Sequence, residues 1–164
     1  MTRAAPRPVT LMVNGQTRSA VAEPRRTLAD FLRQDLGLTG THLGCEHGVC
    51  GACTVLFDGE PVRACLMFAV QADGADVATV EGLTPEGGLS DLQQAMTAAH
   101  ALQCGYCTPG FVVVAEALLR DSPNPDADAV RDALSGNICR CTGYLPIVEA
   151  VLETARRRAE EGTR

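Results

Sequence analysis

The amino-acid sequence predicts an α+β protein: a small sheet domain over residues 1–82, followed by an all-α bundle of four helices over residues 83–164. Strand-like segments joined by hairpin turns fill the first half of the chain, and apolar residues with helical spacing fill the second. Between them, residues 81–88 (EGLTPEGG) are polar and rich in residues that break helices and strands. We therefore place a domain boundary between residues 82 and 83.

A β-hairpin and a helix are predicted at the start of the sheet domain. Residues 9–14 have strand character, Asn14-Gly15 is a strong signal for a two-residue turn, and residues 16–22 return as a second strand. Thr27 is placed to cap a helix. The apolar face of this helix consists of Leu28, Phe31, Leu32 and Leu36, and Gly37 is placed to end it.

A glycine-rich loop with three cysteines follows over residues 40–53 (GTHLGCEHGVCGAC). Its spacing, Cys-x4-Cys-x2-Cys, is typical of the plant-type ferredoxin loop, in which a fourth cysteine from further along the chain completes a [2Fe–2S] site. Glycines suit such a loop because the backbone must wrap closely around the cluster and present bare N–H groups to its sulfides. The pattern predicts a cluster held by Cys45, Cys50, Cys53 and Cys65.

A second hairpin returns the chain to this loop. Residues 54–57 have strand character, Asp58-Gly59 is a turn signal, and residues 60–64 lead back to the fourth cysteine. A further strand over residues 77–80 is expected to complete a small mixed sheet.

Four helices are predicted after the breaker-rich segment. Ser90 is placed to cap the first, and Thr108, followed by Pro109 at the first helical position, is placed to cap the second. The second is apolar on nearly all sides, so we expect it to be central and buried. The four cover residues 90–99, 108–119, 126–134 and 145–158.

Four further cysteines stand in two pairs at the starts of these helices: Cys104 with Cys107, and Cys139 with Cys141. Helix N-termini stabilise anions, so four thiolates facing one another across two helix starts favour a negatively charged metal–thiolate centre. Zinc is an alternative here, although zinc ribbons favour two Cys-x2-Cys pairs about 15–20 residues apart. In this chain 31 residues lie between the pairs, and the second pair is Cys-x-Cys. Reduced thiols without metal are a second alternative.

Composition narrows the class of protein. The net charge is −6 and basic residues form no stripe apart from residues 156–158, which argues against a nucleic-acid partner. No stretch approaches the roughly 18 apolar residues of a membrane span, and the N-terminus lacks an apolar segment of signal-peptide type. We therefore expect a cytoplasmic protein.

Eight cysteines in such a chain indicate metal ligation rather than disulfides, because cytosolic thiols are kept reduced. They divide into two groups of four, which predicts two sites. His42 and His47 lie in the first loop. Since four cysteines already complete that site, we interpret both histidines as partly solvated loop residues.

Two longer motifs carry a resemblance to a known family. Residues 103–110 (QCGYCTPG) and 136–144 (GNICRCTGY) resemble the signature of the iron–sulfur subunit of the molybdenum hydroxylases, the xanthine oxidase and carbon monoxide dehydrogenase family. Residues 44–55 resemble the first-cluster loop of the same family. The resemblance covers residues 9–151, without departure at any of the eight cysteines or at Gln103.

The resemblance implies a β-grasp, ferredoxin-like [2Fe–2S] domain followed by a helical bundle in which Cys104, Cys107, Cys139 and Cys141 hold a second [2Fe–2S] cluster. It places the bundle cluster beside the molybdopterin cofactor, in its cytosine dinucleotide form, of a large subunit. The first cluster is then expected toward FAD of a medium subunit, in a heterotrimer or a dimer of heterotrimers. Gln103 and Cys141 resemble the residues that contact the pterin.

The function implied is electron transfer within an oxidoreductase. Hydroxylation with water-derived oxygen releases two electrons, whereas each [2Fe–2S] centre passes one at a time, so two clusters in series can relay them from molybdenum to flavin. The sequence shows no candidate catalytic base with a partner and no Gly-x-Gly-x-x-Gly after a strand, so we expect substrate chemistry on another polypeptide. A free-standing two-cluster ferredoxin-type carrier and a zinc-stabilised interaction module are the alternatives.

Overall fold

The computed structural model describes residues 5–162, and in this part of the chain a mixed sheet is followed by helices. The strand order is β2-β1-β5-β3-β4. The hairpin partners are β1 (Arg7–Val13) with β2 (Gln16–Ala22) and β3 (Thr54–Phe57) with β4 (Glu60–Arg63). Between the hairpins, β5 (Asp76–Ala78) runs parallel to β1 and antiparallel to β3. The predicted mixed sheet and the α+β class are confirmed.

Both predicted hairpin turns have the backbone that their residues favour. Asn14 and Gly15 have φ of 52° and 74°, and Asp58 and Gly59 have φ of 49° and 89°. Two consecutive residues with positive φ match the right-handed twist of the flanking strands, which is why Asn-Gly and Asp-Gly are favoured there.

The helix after β2 is shorter and wider than its apolar spacing predicts. Thr27 caps it as expected, its Oγ1 accepting from the N–H of Asp30 at 3.0 Å. After one α-helical turn, α1 (Leu28–Asp30), the chain continues as a π-helix over Phe31–Asp35, where the Leu36 N–H donates to the Phe31 carbonyl at 3.1 Å. The Leu36 side chain is partly buried and packs against the edge of the core.

The last strand ends two residues before its predicted end. Beyond Ala78 the backbone leaves the sheet, and the N–H of Thr79 donates to the side-chain oxygen of Asn14 at 2.8 Å. Val80, predicted as a strand residue, instead packs against the apolar core of the helices.

Helices α2 (Asp91–Ala98), α3 (Thr108–Asp121), α4 (Ala127–Leu134) and α5 (Tyr144–Gly162) form the predicted bundle. Ser90 caps α2 in a reciprocal capping box with Gln93. For α3 the predicted cap is wrong: Thr108 is the first helical residue, and the preceding cysteine holds the N-cap position without a side-chain cap. The loop carrying Cys104 and Cys107 therefore runs directly into the helix.

Apolar side chains form two separate cores. One lies between the sheet and α1, around Val9, Leu11, Phe31 and Val55. The other lies inside the bundle, where nearly every apolar residue of α3 is buried. We propose the domain boundary at 82/83 because it falls between these cores, although Val80 and Leu83 both pack against the bundle.

One ion-pair network ties three helices of the bundle together. Arg158 in α5 donates to Asp91 of α2 at 2.6 and 2.7 Å and to Glu116 of α3 at 3.0 Å. The guanidinium holds the pKa of Asp91 below its usual range. A depressed carboxyl pKa means that this stabilisation is present at neutral pH and is lost as the pH falls through the pKa of the folded state.

Arg158→Met is therefore expected to lower the free energy of unfolding by about 1 kcal/mol, because the Arg158 pairs are only partly exposed. Arg157→Met is the matched control, since within residues 5–162 the ion pair of Arg157 is with the half-buried Glu153 of its own helix. Thermal unfolding followed by circular dichroism compares the two. An equal loss in both variants would show that the interhelical network adds nothing.

No helix within residues 5–162 is both long and apolar enough to cross a membrane.

Candidate metal centres

The loop with the first three cysteines is shaped by residues in the left-handed conformation. Glu46, Gly48 and Gly51 have φ of 56°, 84° and 73°. At Gly48 a Cβ would also lie 2.5 Å from the end of the exposed Leu66 side chain, which would have to move. The loop can therefore curve tightly around whatever its cysteines hold.

The four thiols of this first group stand as two pairs. The Cys50 N–H donates to the sulfur of Cys45 at 3.3 Å, and the thiols of Cys53 and Cys65, both buried, are in contact. Hydrogen bonds from the N–H groups of Cys50 and His47 lower the pKa of Cys45 to about 6, and burial raises that of Cys53 to about 12. A buried thiol of this kind would lose its proton on binding a metal ion, whose positive charge would then stabilise the thiolate.

The second group is built in the same way at the starts of α3 and α5. The sulfur atoms of Cys104 and Cys141 are 3.5 Å apart, and the thiol of Cys107 contacts that of Cys139. The Gly143 N–H donates to the sulfur of Cys139 at 3.2 Å. The N–H of Tyr106 lowers the pKa of Cys104, whereas burial, followed by the contact with Cys139, raises that of Cys107 to about 12.

These donor sets suit dinuclear clusters. Within residues 5–162 no three His, Cys, Asp or Glu side chains stand in the geometry of a site for a metal ion. The thiols stand in pairs, and two irons bridged by sulfides take two thiolates each. Backbone N–H groups already point at the sulfurs in both groups, as an anionic iron–sulfur centre requires.

Gln103 lies exposed at the surface of the bundle, directly before the first bundle cysteine. Its side chain is exposed and forms no hydrogen bond within residues 5–162. It directly precedes Cys104, whose thiol is exposed beside that of the half-buried Cys141. Gln103 and Cys141 therefore occupy the same end of the bundle.

The two cysteine-bearing regions meet through an aromatic contact. The ring of His42 stacks on Tyr106 with centroids 4.8 Å apart, and its Nδ1 lies 2.8 Å from the Tyr106 carbonyl oxygen. The Tyr106 hydroxyl donates to the carbonyl of Leu43 at 2.6 Å. His42 thus links the domains, while Nδ1 of His47 is hydrogen-bonded to the carbonyl of Cys45.

A second contact joins the loops closer to their cysteines. The N–H of Ile138 donates to the carbonyl of Cys50 at 2.9 Å. The buried amide of Asn137 donates to the Gly51 carbonyl at 3.1 Å, and Arg63 donates to the Gly136 carbonyl at 2.5 Å. We call residues 50–51, Arg63 and residues 136–138 the loop junction.

Sequence reasoning did not single out Arg63, Asn137 or Tyr106. Asn137 follows a glycine after a predicted helix, where it has the pattern of a helix stop, yet its side chain is only 2% exposed. Buried asparagines need hydrogen-bond partners, but the local pattern does not show that Asn137 is buried.

The two halves of the chain match two families of known domains. Residues 11–82 match the 2Fe-2S iron-sulfur cluster binding domain, and residues 79–152 match the [2Fe-2S] binding domain. The chain is therefore a protein with two [2Fe–2S]-binding domains, which favours iron–sulfur over zinc at both thiol groups.

Full-length relatives narrow the class further. The chain is 55% identical over 146 residues to 6-hydroxypseudooxynicotine dehydrogenase complex subunit beta of Paenarthrobacter nicotinovorans, covering 88% of this chain and 91% of that one. It is 49% identical over 151 residues to the nicotinate dehydrogenase small FeS subunit of Eubacterium barkeri, covering 92% and 96%. The fold matches a chain of quinoline 2-oxidoreductase from Pseudomonas putida 86 with a TM-score of 0.89 and 48% identity, covering 94% and 98%.

The chain belongs to the small [2Fe–2S] iron–sulfur subunits of the molybdenum hydroxylase family. The resemblance in its motifs is thereby confirmed, as is the assignment to an oxidoreductase.

Proposed function

We propose that this chain relays single electrons from the molybdopterin centre of a large partner subunit to FAD of a medium partner subunit. The observation that carries the proposal is the loop junction: both thiol groups lie on loops that touch, and the Ile138 N–H bonds directly to a carbonyl of the first group. Membership of the small-subunit family supports the partners and the direction of flow.

We infer that Cys45, Cys50, Cys53 and Cys65 bind one [2Fe–2S] cluster and that Cys104, Cys107, Cys139 and Cys141 bind the other. When bound, each cluster supplies a one-electron redox centre. The chain provides the thiolates, the backbone N–H groups that face sulfur, and the buried surroundings that keep water from the inner ligands.

Exposed apolar side chains surround each thiol group, which supports a separate partner subunit for each group. Around the second group, Leu102, Tyr106, Ile138, Tyr144 and Leu145 are exposed, which is unusual for so many large apolar residues close together. Around the first group, Val49, Leu66 and Phe68 are exposed. We propose that the large subunit covers the second thiol group, with its pterin, in the cytosine dinucleotide form, against Gln103 and Cys141. The medium subunit then covers the first thiol group. The complex is a heterotrimer or a dimer of heterotrimers.

The substrate class can be proposed from the relatives. Those sharing about half or more of their residues with this chain carry names that refer to nicotine, caffeine and nicotinate. We propose that the large subunit acts on an N-heterocyclic compound. Reduction of the clusters in the purified complex by nicotinate-like compounds, but not by simple aldehydes, would support this class.

Native purification through a tag on this chain tests the proposal. We expect a large molybdenum-containing subunit to co-purify, with iron and acid-labile sulfide for two clusters in each small subunit. Two distinct [2Fe–2S] signals are expected by electron paramagnetic resonance (EPR), because one thiol group lies in a sheet-domain loop and the other between helix starts. A stable chain without a molybdenum partner that accepts electrons from several reductases would instead indicate a free carrier.

Gln103→Ala is expected to leave both EPR signals and the unfolding temperature unchanged, because the side chain is exposed and makes no hydrogen bond within residues 5–162. Loss of one amide contact to a pterin costs about 1 to 3 kcal/mol. We therefore expect slower reduction of the bundle cluster by substrate, or a lower molybdenum content of the complex. Gln94→Ala in α2 is the control, as its amide bonds only to the Leu89 carbonyl. Unchanged kinetics and molybdenum content in Gln103→Ala would remove Gln103 from the pterin contact.

A further inference from the structure

The guanidinium of Arg63 joins the two thiol-bearing loops at the loop junction. Arg63 ends β4, two residues before Cys65, and its side chain crosses to the segment just before Cys139. Its Nη2 donates to the Gly136 carbonyl at 2.5 Å and lies 3.4 Å from the Asn137 side-chain oxygen, while Nη1 donates to the hydroxyl of Thr54. One side chain therefore holds groups from both domains.

Asn137 closes this arrangement into a ring of hydrogen bonds. Its side-chain nitrogen donates to the Gly51 carbonyl at 3.1 Å, and the same carbonyl accepts from the Thr54 hydroxyl at 2.6 Å. The ring runs from Arg63 through Thr54, Gly51 and Asn137 back to Arg63. Both ends of the buried Asn137 amide are used, so loss of this amide would leave the buried Gly51 carbonyl without one of its donors.

The ring fixes the contact that lies between the two groups of cysteines. Asn137 is adjacent to Ile138, whose N–H donates to the Cys50 carbonyl at 2.9 Å, and Ile138 is adjacent to Cys139. Two glycines allow the loops to approach each other this closely. A Cβ on Gly51 would lie 2.7 Å from the Asn137 side chain, and a Cβ on Gly136 would lie 2.5 Å from the Arg63 side chain. A shift of either loop therefore changes the separation of the two thiol groups directly.

Arg63 also brings a positive charge to this position. Each cluster with four thiolates is anionic and gains a further negative charge when it accepts an electron. A cation favours the reduced form, and its effect falls with distance. Removing the Arg63 charge must therefore change the reduction potentials of the two clusters by different amounts, unless both clusters lie at the same distance from the guanidinium.

We propose that Arg63 and Asn137 are positioning residues for electron transfer between the two clusters: their hydrogen-bond ring sets the separation of the cluster loops, and the Arg63 charge sets how an electron divides between them. The inference rests on the two clusters of the proposed function. In the step concerned, one cluster is oxidised by one electron and the other is reduced by one, with no bond broken and no proton moved. The electrons come from substrate oxidised on the large subunit and leave to the flavin.

The test uses the complete complex with variants Arg63→Gln, Arg63→Lys and Asn137→Ala. Arg120→Gln is the matched control, because Arg120 also bridges the domains, donating to the Gly59 carbonyl at 2.8 Å, but does so away from the cysteines. Cluster content is checked by iron and sulfide analysis. EPR of the fully reduced complex then measures the magnetic interaction between the clusters, and a redox titration measures how one electron divides between them.

In Arg63→Gln and Asn137→Ala we expect a weaker magnetic interaction than in the unaltered complex and in Arg120→Gln. In Arg63→Gln we also expect the division of the electron to change about tenfold, which corresponds to about 59 mV in the difference between the one-electron potentials. Arg63→Lys keeps the charge but not the forked donor, so the division should stay within about twofold of the unaltered complex while the magnetic interaction weakens.

An unaltered magnetic interaction in Asn137→Ala and Arg63→Lys would overturn the positioning role. These two variants test that role even if Arg63→Gln fails to retain both clusters. An equal change in Arg120→Gln would also overturn it, because any domain contact would then suffice. Absence of two cluster signals in the unaltered complex would overturn the proposed function instead, so the two failures are distinguishable.

Discussion

Cys107→Ser is expected to abolish the EPR signal of the bundle cluster and to prevent assembly with the large subunit. Cys107 packs against the bundle core and its thiol contacts the buried Cys139. Serine is a poor ligand for iron, and the proposed cluster would tie the loop before α3 to the loop before α5. Because metal binding contributes to folding when the site closes around the metal, loss of this cluster should loosen the bundle itself.

Cys50→Ser is the matched comparison. It should abolish the other cluster signal but leave more assembled complex, because Cys50 lies in a loop outside the sheet-domain core. EPR gives the signals, and native purification gives the yield of complex. Equal, fully assembled yields of both variants would show that the bundle folds without its metal.

Gly110→Ala is expected to lower the free energy of unfolding by about 3 kcal/mol and to displace the loop junction. Gly110 lies in the first turn of α3, and a Cβ there would lie 2.3 Å from the Gly51 carbonyl oxygen and 2.9 Å from the Asn137 side chain. Replacing glycine by alanine within a helix normally stabilises by about 1 kcal/mol. Here the clash is with backbone, which cannot move without shifting the first-cluster loop, so the clash outweighs the gain.

Gly162→Ala provides the control. Gly162 also lies in a helix, and no atom stands within 4 Å of a Cβ built there. The unfolding temperature of Gly162→Ala should be unchanged or slightly raised. In Gly110→Ala the unfolding temperature should fall, and the magnetic interaction between the clusters should weaken. A Gly110→Ala protein as stable as the unaltered chain would show that the domains can separate slightly at no cost.

Most elements could be predicted because their signals are local. The turns at Asn14-Gly15 and Asp58-Gly59 and the caps Thr27 and Ser90 each depend on residues within a few positions of one another. Cysteine spacing likewise predicts two groups of four thiols. Long-range packing overruled the local signal at Val80, which leaves the sheet and contacts the apolar core of the helices. The π-helix at Phe31–Asp35 was not predicted from the apolar spacing either.

The loop junction could not have been predicted in this way. Asn137 and its acceptor Gly51 are 86 residues apart, and Arg63 and Gly136 are 73 apart. Nothing in the spacing of polar residues indicates which of them will meet between two domains. The side chains that connect the two sites were found only from the fold, whereas the proposed ligands were found from sequence.

The two groups of thiols lie on loops that touch, so the stability of one centre depends on that of the other. If the proposed cluster at the exposed Cys104 lost its iron to an oxidant, the loop carrying Cys107 would be freed, and the disturbance would reach Gly51 through Asn137 and Gly110. Damage at one centre therefore weakens the support of its neighbour.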